Sequence, residues 1–205
     1  EVVLAMLRLT LIASGAVAGL VLAFNPTFVT HWVGPARFGG ITMNALFAME
    51  VVTLSLTHSL ISPASTLGER VRGGYSVVAQ GVVHVGLALG LGHLFGATGV
   101  VGAGLVSSML IGYPASVYLL RRASGLTHGA LLSGAILPWL WRAAPLYVVA
   151  ALIGTAFRGS VSWLPFVATP PLALLYLWVM RPLYEGIPLP GRIRPLLARM
   201  RLVTP

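Results

Sequence analysis

The sequence predicts an all-α membrane protein: a six-transmembrane-helix bundle followed by a C-terminal amphipathic helix. Three observations predict it. Hydrophobic residues make up 57% of the chain and charged residues 8%, with a mean hydropathy of +0.91. A soluble domain carries about 25% charged residues, so this chain has too little charge to clothe a water-facing surface. The apolar residues also fall into runs of roughly 20, enough for a helix to cross a hydrocarbon core. Backbone in lipid must satisfy its own hydrogen bonds, and the short alternating segments of a barrel are missing, which leaves helices.

The first run covers 2–24 and is predicted to close at Asn25-Pro26, and the second covers 41–62 and closes at Ser62-Pro63. The third covers 74–95, and the fourth, 98–120, ends at Arg121-Arg122. The fifth, 131–157, is broken by Pro138 and Pro145; the sixth, 161–181, contains Pro165, Pro170 and Pro171 and ends at Arg181-Pro182. The passage "FNPTFVTHWVGPARFGG" between the first two runs is predicted as a short interfacial element. Phe28 and Trp32 would sit at headgroup level while the stretch from Pro35 to Gly40 turns the chain into the next span. Residues 1–187 form the transmembrane unit, and 188–205 a basic tail. In "GRIRPLLARMRLV", Ile193, Leu196, Leu197, Met200 and Val203 share one helical face, with Arg192, Arg194, Arg199 and Arg201 around the other. That pattern suits a surface helix on anionic phospholipid and is too short and too charged to span.

All 13 basic residues are arginine, and the 4 acids are Glu1, Glu50, Glu69 and Glu185. A net charge of +9 could point to nucleic acid, but the arginines cluster at the ends of apolar runs, as orientation signals do. One side holds Arg8, Arg70, Arg72, Arg121, Arg122, Arg181 and the tail; the other holds Arg37 and Arg158. Both ends of the segment are therefore expected in the cytoplasm, and the passage 24–40 outside. The chain starts at Glu1 and enters an apolar run at once. It has neither a charged n-region nor a cleavage site, and is expected to be a fragment of a longer protein. Without cysteine it has no disulfide framework.

Candidate functional residues are polar groups inside the runs. Glu50 lies mid-run, where a carboxylate costs several kcal/mol unless it meets a cavity or a partner. Thr53 and Thr57 extend its face. Two readings stand: helix glue, or a proton or cation site on a transport path. Ser76, Gln80 and His84 form a second polar stripe at intervals of four; His84 is either an interhelical hydrogen bonder or a titrating group. His58, near the end of its run, carries less weight, and His31, His93 and His128 fall in loops. Arg142, in "LPWLWRAAPLY", is either a snorkelling interfacial arginine with Trp139 and Trp141 as its aromatic belt, or a fixed cation for a diphosphate. Gly104, Ser108, Gly112 and Ser116 recur at every fourth position, a stripe that lets helices approach closely. No pair of histidines has metal-ligand spacing, so no metal and no cofactor is expected. The chain lacks G-x-S-x-G, HExxH and P-loop motifs, and no enzyme is expected.

"LAFNPTFVTHWVGPARFGG" resembles the extracytoplasmic loop of the polysaccharide and O-antigen flippases of the multidrug/oligosaccharidyl-lipid/polysaccharide exporter superfamily. "SPASTLGERVRGGYSVV" is similar to their cytoplasmic link, and "FGATGVVGAGLVSSML" to the start of a later helix. "YLLRRASGLT" and "MRPLYEGIPLP" are similar to later helix ends. The resemblance covers nearly all of the chain but only the C-terminal half of such a protein. It implies one lobe of a two-lobe transporter whose N-terminal lobe is missing here, built as transporters with repeats are. It further implies a lipid-linked glycan as substrate and the bacterial cytoplasmic membrane as location. The family has no universal catalytic residue, so none is assigned. The expected function is flipping of lipid-linked polysaccharide precursors by alternating access. The alternatives are a multidrug exporter of the same superfamily and a non-transporting membrane scaffold subunit.

Overall fold

The computed structural model describes residues 1–157, 164–185 and 187. Among them every regular element is helical: α1 (Val2–Trp32), α2 (Gly40–Ala64), α3 (Arg70–Phe95), α4 (Ala97–Ser107), α5 (Tyr113–Ser124), α6 (His128–Leu131), α7 (Leu137–Ala156) and α8 (Leu164–Tyr184). A 3₁₀ turn at Pro35–Arg37 links α1 to α2. π-helical turns at Ser65–Glu69, Ser108–Gly112 and Leu132–Ile136 join α2 to α3, α4 to α5 and α6 to α7. The predicted surface helix, with Arg192, Arg194, Arg199 and Arg201, lies outside the described residues, as does Arg158.

Among the described residues, 4 helical stretches are long and apolar enough to cross a membrane: Val2–Trp32, Gly40–Phe95, Ala97–Ser124 and His128–Ala156. Gly40–Phe95 is not one rod. Gly68 takes φ 107°, a left-handed conformation that glycine enters without a Cβ penalty. A Cβ on Gly73 would then lie 3.4 Å from Ser65 Oγ and 3.6 Å from Ile61 Cδ1. In a straight helix those residues would stand about 12 and about 18 Å away along the axis. The chain therefore reverses at Gly68, and the start of α3 lies beside the end of α2.

Several prolines read as breaks are carried inside helices. α1 does not close at Asn25-Pro26 but continues through Pro26 to Trp32. Phe28 and Trp32 thus stand on its last turns, with Phe24–Phe28 and Phe28–Trp32 ring centroids 5.4 and 5.1 Å apart. α2 passes Pro63 and α7 passes Pro145 in the same way. A proline removes one N–H and crowds the carbonyl four residues back, so that carbonyl needs another arrangement. For Pro138 it is Gly134 O, which accepts from Arg8 Nε at 2.7 Å. For Pro26 it is Leu22 O, against which the backbone of Gly154 packs. Pro114 and Pro138 each stand two residues after the end of a π turn, where the local widening makes room for the ring.

The core gathers at one end of the bundle. Leu7 and Leu11 of α1, Leu60 of α2, Leu120 of α5, Leu131 of α6 and Met180 of α8 are fully buried there. α3 contributes no residue to this core. Elsewhere α1 is tied to its neighbours by polar contacts. Asn25 Nδ2 donates to Asn44 Oδ1 (2.8 Å), and Asn44 Nδ2 donates to Val21 O (3.1 Å). Tyr147 OH donates to Gly15 O at 3.0 Å, and Trp139 Nε1 donates to Tyr176 OH at 3.0 Å. Gly15 is where these three rings converge on α1, and a Cβ there would run into all of them.

The α2–α3 reversal is held by Glu69. Its carboxylate accepts from Arg72 Nη1 at 2.8 Å and from Arg122 Nε of α5 at 2.9 Å. The Arg72 hydrogen bond, and then the charges of Arg72 and Arg122, hold this carboxyl below its ordinary value of 4.5. A carboxylate whose native value is lowered stabilises the fold above the unfolded value, and that stabilisation is lost as pH falls through the native value. Acidification below about pH 4.5 should therefore lower the melting temperature of the wild type more steeply than that of Glu69→Gln. Parallel acid limbs in thermal melts of the two proteins would show that the clamp contributes nothing.

Candidate functional site

A cleft of about 230 Å³ lies between α2 and α3, closed at its back by the π turn and the start of α5. Leu54, Thr57, His58 and Ile61 form one wall, at the i, i+3, i+4, i+7 spacing of a helix face. Ser76, Gln80 and His84 form the other, with Gly81 between them. The cleft exists because the two helices meet at the Gly68 reversal and then diverge, while α3 packs mainly on α4. The outward side of α3 is left exposed, with Tyr75 at 72%, Val82 at 69% and Leu89 at 73%. Apolar side chains on that side suit a lipid environment and leave the cleft as the polar feature of the helix.

Gly112 lets the back of the cleft close. Gln80 Oε1 occupies the space where a Cβ would stand, and Thr57 Cγ2 lies 3.3 Å from that point. Gln80 Nε2 donates to Ser108 Oγ at 3.0 Å. α2 and α3 thus converge on the small-residue stripe of the π turn, where any larger residue would push them apart. The hydroxyls of the lining turn inward to their own backbone: Thr57 Oγ1 donates to Thr53 O (2.8 Å), Ser76 Oγ to Gly73 O (2.8 Å) and Ser116 Oγ to Gly112 O (2.7 Å). Their oxygens remain able to accept.

Thr57 and the stripe of Ser76, Gln80 and His84, all singled out in the sequence, meet in this cleft. Thr53 does not line it; it is buried and donates to Met49 O at 2.8 Å. Glu50 sits beyond the cleft on α2. Its carboxylate rests on Gly104 of α4, with Oε1 2.7 Å and Oε2 3.0 Å from where a Cβ would stand. Oε2 is shut off from solvent and has no hydrogen-bond partner among the described residues. His84 is within electrostatic reach of it, so the carboxylate and the cleft share one neighbour. Arg142 is placed elsewhere, half-buried on α7, with Nη1 donating to Pro138 O of its own helix at 2.7 Å. α7 packs on α1 and α8 and does not line the cleft.

Sequence reasoning gave His58 little weight, yet it stands on the cleft wall beside Thr57. The signal was present in the spacing 54, 57, 58, 61, which places it on one face with a residue already singled out. Glu69 and Arg122 carried no such signal, because their contact joins residues far apart in the chain. Comparison with family models, with curated proteins and with solved structures finds no match for this chain.

Proposed function

We propose that the chain is one lobe of a transporter that moves lipid-linked polysaccharide precursors across the bacterial cytoplasmic membrane by alternating access. The observation that carries this reading is the α2–α3 cleft, where Thr57, His58, Ser76, Gln80 and His84 place polar groups along a groove in largely apolar helices. Hydroxyl oxygens, the Gln80 amide and two imidazoles can accept from and donate to sugar hydroxyls. A lipid chain would lie against the exposed valines and leucine of α3. On this reading the segment crosses the membrane six times: α1, α2, α3, α4 with α5, α6 with α7, and α8. The arginines at the Gly68 reversal and at the end of α5 face the cytoplasm. The protein transports rather than catalyses. The resemblance of the loops supports the same reading, which also makes a second, N-terminal lobe and anionic phospholipid its partners. A cationic drug would require a carboxylate in the path, and the cleft lining has none.

Filling the cleft tests the proposal. Gln80→Leu removes the amide that reaches Ser108 and places a branched apolar side chain between the walls. Glycan export in cells that carry the variant in the full-length protein should fall by about tenfold at unchanged protein level, the loss expected when a buried polar contact worth about 1.4 kcal/mol is removed. Export at the wild-type rate would remove the cleft from the substrate path.

A further inference from the structure

We infer that the arginines at the α2–α3 reversal and at the end of α5 form a site for an anionic phospholipid with two phosphodiesters, a diphosphatidylglycerol (cardiolipin). The inference goes beyond the transporter reading and rests only on these helices crossing a membrane. Arg70 and Arg72 open α3, and Arg121 and Arg122 lie in the last turn of α5. Glu69 brings the two pairs together, accepting from Arg72 Nη1 at 2.8 Å and from Arg122 Nε at 2.9 Å. α3 packs mainly on α4 and touches α5 little. A carboxylate, rather than packed side chains, therefore bridges the two arginine-bearing ends.

One carboxylate does not neutralise four guanidinium groups, and the cluster keeps a net charge of +3. Arg70 and Arg121 are exposed and make no hydrogen bond among the described residues. Arg72 gives Glu69 only Nη1, and Arg122 only Nε, so both keep N–H groups in reserve. A guanidinium presents its donors as a fixed fork that matches the oxygens of a phosphate. An arginine that only orients a span needs no fixed position; here Glu69 fixes two of the four, and each has an unpaired arginine close by in the chain. A single phosphodiester can meet one pair, whereas two joined through a glycerol can meet the pair on each helix. The surface beside the cluster suits the rest of such a lipid. Val71, Tyr75 and Val78 recur at helical spacing and are exposed on α3, and Tyr118, exposed on α5, lies beside Arg122. Acyl chains can lie against the valines while the headgroup rests on the arginines. The two tyrosines stand at the boundary, where rings with a polar tip are favoured. Basic pockets between membrane helices hold doubly charged headgroups in this way. A lipid seated there would add its own bridge between α3 and α5 to that of Glu69.

The test uses the purified full chain in dodecyl maltoside, with lipid binding read by native mass spectrometry and stability by thermal melts. The probes are tetraoleoyl cardiolipin, dioleoyl phosphatidylglycerol and dioleoyl phosphatidylcholine. Cardiolipin should bind most tightly of the three and raise the melting temperature, as a ligand of the folded state does. Arg70→Gln and Arg121→Gln leave the Glu69 bridge intact, and each should weaken cardiolipin binding about fivefold. The double variant should weaken it about 25-fold and lose most of the melting shift, while melting like the wild type without lipid. Arg37→Gln, at the opposite end of α2, should bind cardiolipin as the wild type does. Inorganic pyrophosphate has two phosphates and no chains, and should not displace the lipid. Cardiolipin bound no more tightly than phosphatidylglycerol, binding undiminished in both single variants, or an equal loss in Arg37→Gln would overturn the inference. Displacement by pyrophosphate would overturn it too, and would assign the cluster to a soluble diphosphate.

Discussion

Gly154→Val is expected to cost about 3 kcal/mol of stability, the upper part of the usual range for overpacking. A Cβ at position 154 would strike Leu22 O, and it would stand 3.2 Å from Pro26 Cγ and 3.3 Å from Ala23 O. Two of these three atoms are backbone, which cannot rotate away as a side chain can. Neither helix can easily retreat. Arg8 binds Gly134 O near the start of the α6–α7 pair, Tyr147 binds Gly15 O in the middle, and Thr27 Oγ1 donates to Phe157 O at 3.4 Å just past the end of α7. The added methyl groups must therefore separate α1 from α7 along much of their length or bend one of them. Gly86→Val is the matched control, because nothing lies within 4 Å of a Cβ at Gly86. Reversible unfolding in mild detergent, followed by tryptophan fluorescence, reads the difference. If the two variants unfold at the same denaturant concentration, α1 and α7 do not pack in this way.

If the proposed transporter function holds, Glu50→Gln is expected to reduce glycan export by at least about tenfold while leaving the protein folded at wild-type level. The carboxylate lies in the middle of an apolar helix, with one oxygen shut off from solvent and unpartnered. A carboxylate kept there at a cost of several kcal/mol has to be offset by something it does. It touches α4 through Gly104 and reaches His84 electrostatically, which places it between the bundle and the cleft. Glutamine keeps its size and one carbonyl oxygen but cannot take up or release a proton. Loss of export with unchanged stability assigns Glu50 to proton or cation movement. Export at the wild-type rate, with membrane protein level measured alongside, would leave Glu50 as helix glue.

The helical class and the apolar stretches were legible in the sequence because hydropathy is a property of the chain itself: too little charge and runs of about 20 apolar residues admit few structures. The stripe of Ser76, Gln80 and His84 was legible too, since helical spacing states which residues share a face. Spacing does not state which faces meet. Only packing brought Thr57 and Gln80 together over Gly112, turned Thr53 inward to its own backbone, placed Glu50 on Gly104 and kept Arg142 away on α7. The prolines show the same division. Locally a proline is a helix breaker, because it withdraws an N–H and crowds a carbonyl. Whether the helix ends is decided by what the rest of the fold offers that carbonyl. For Pro138 it is the guanidinium of Arg8, and for Pro26 it is the bare backbone of Gly154. Both partners lie more than a hundred positions away in the chain, where no local pattern could reveal them.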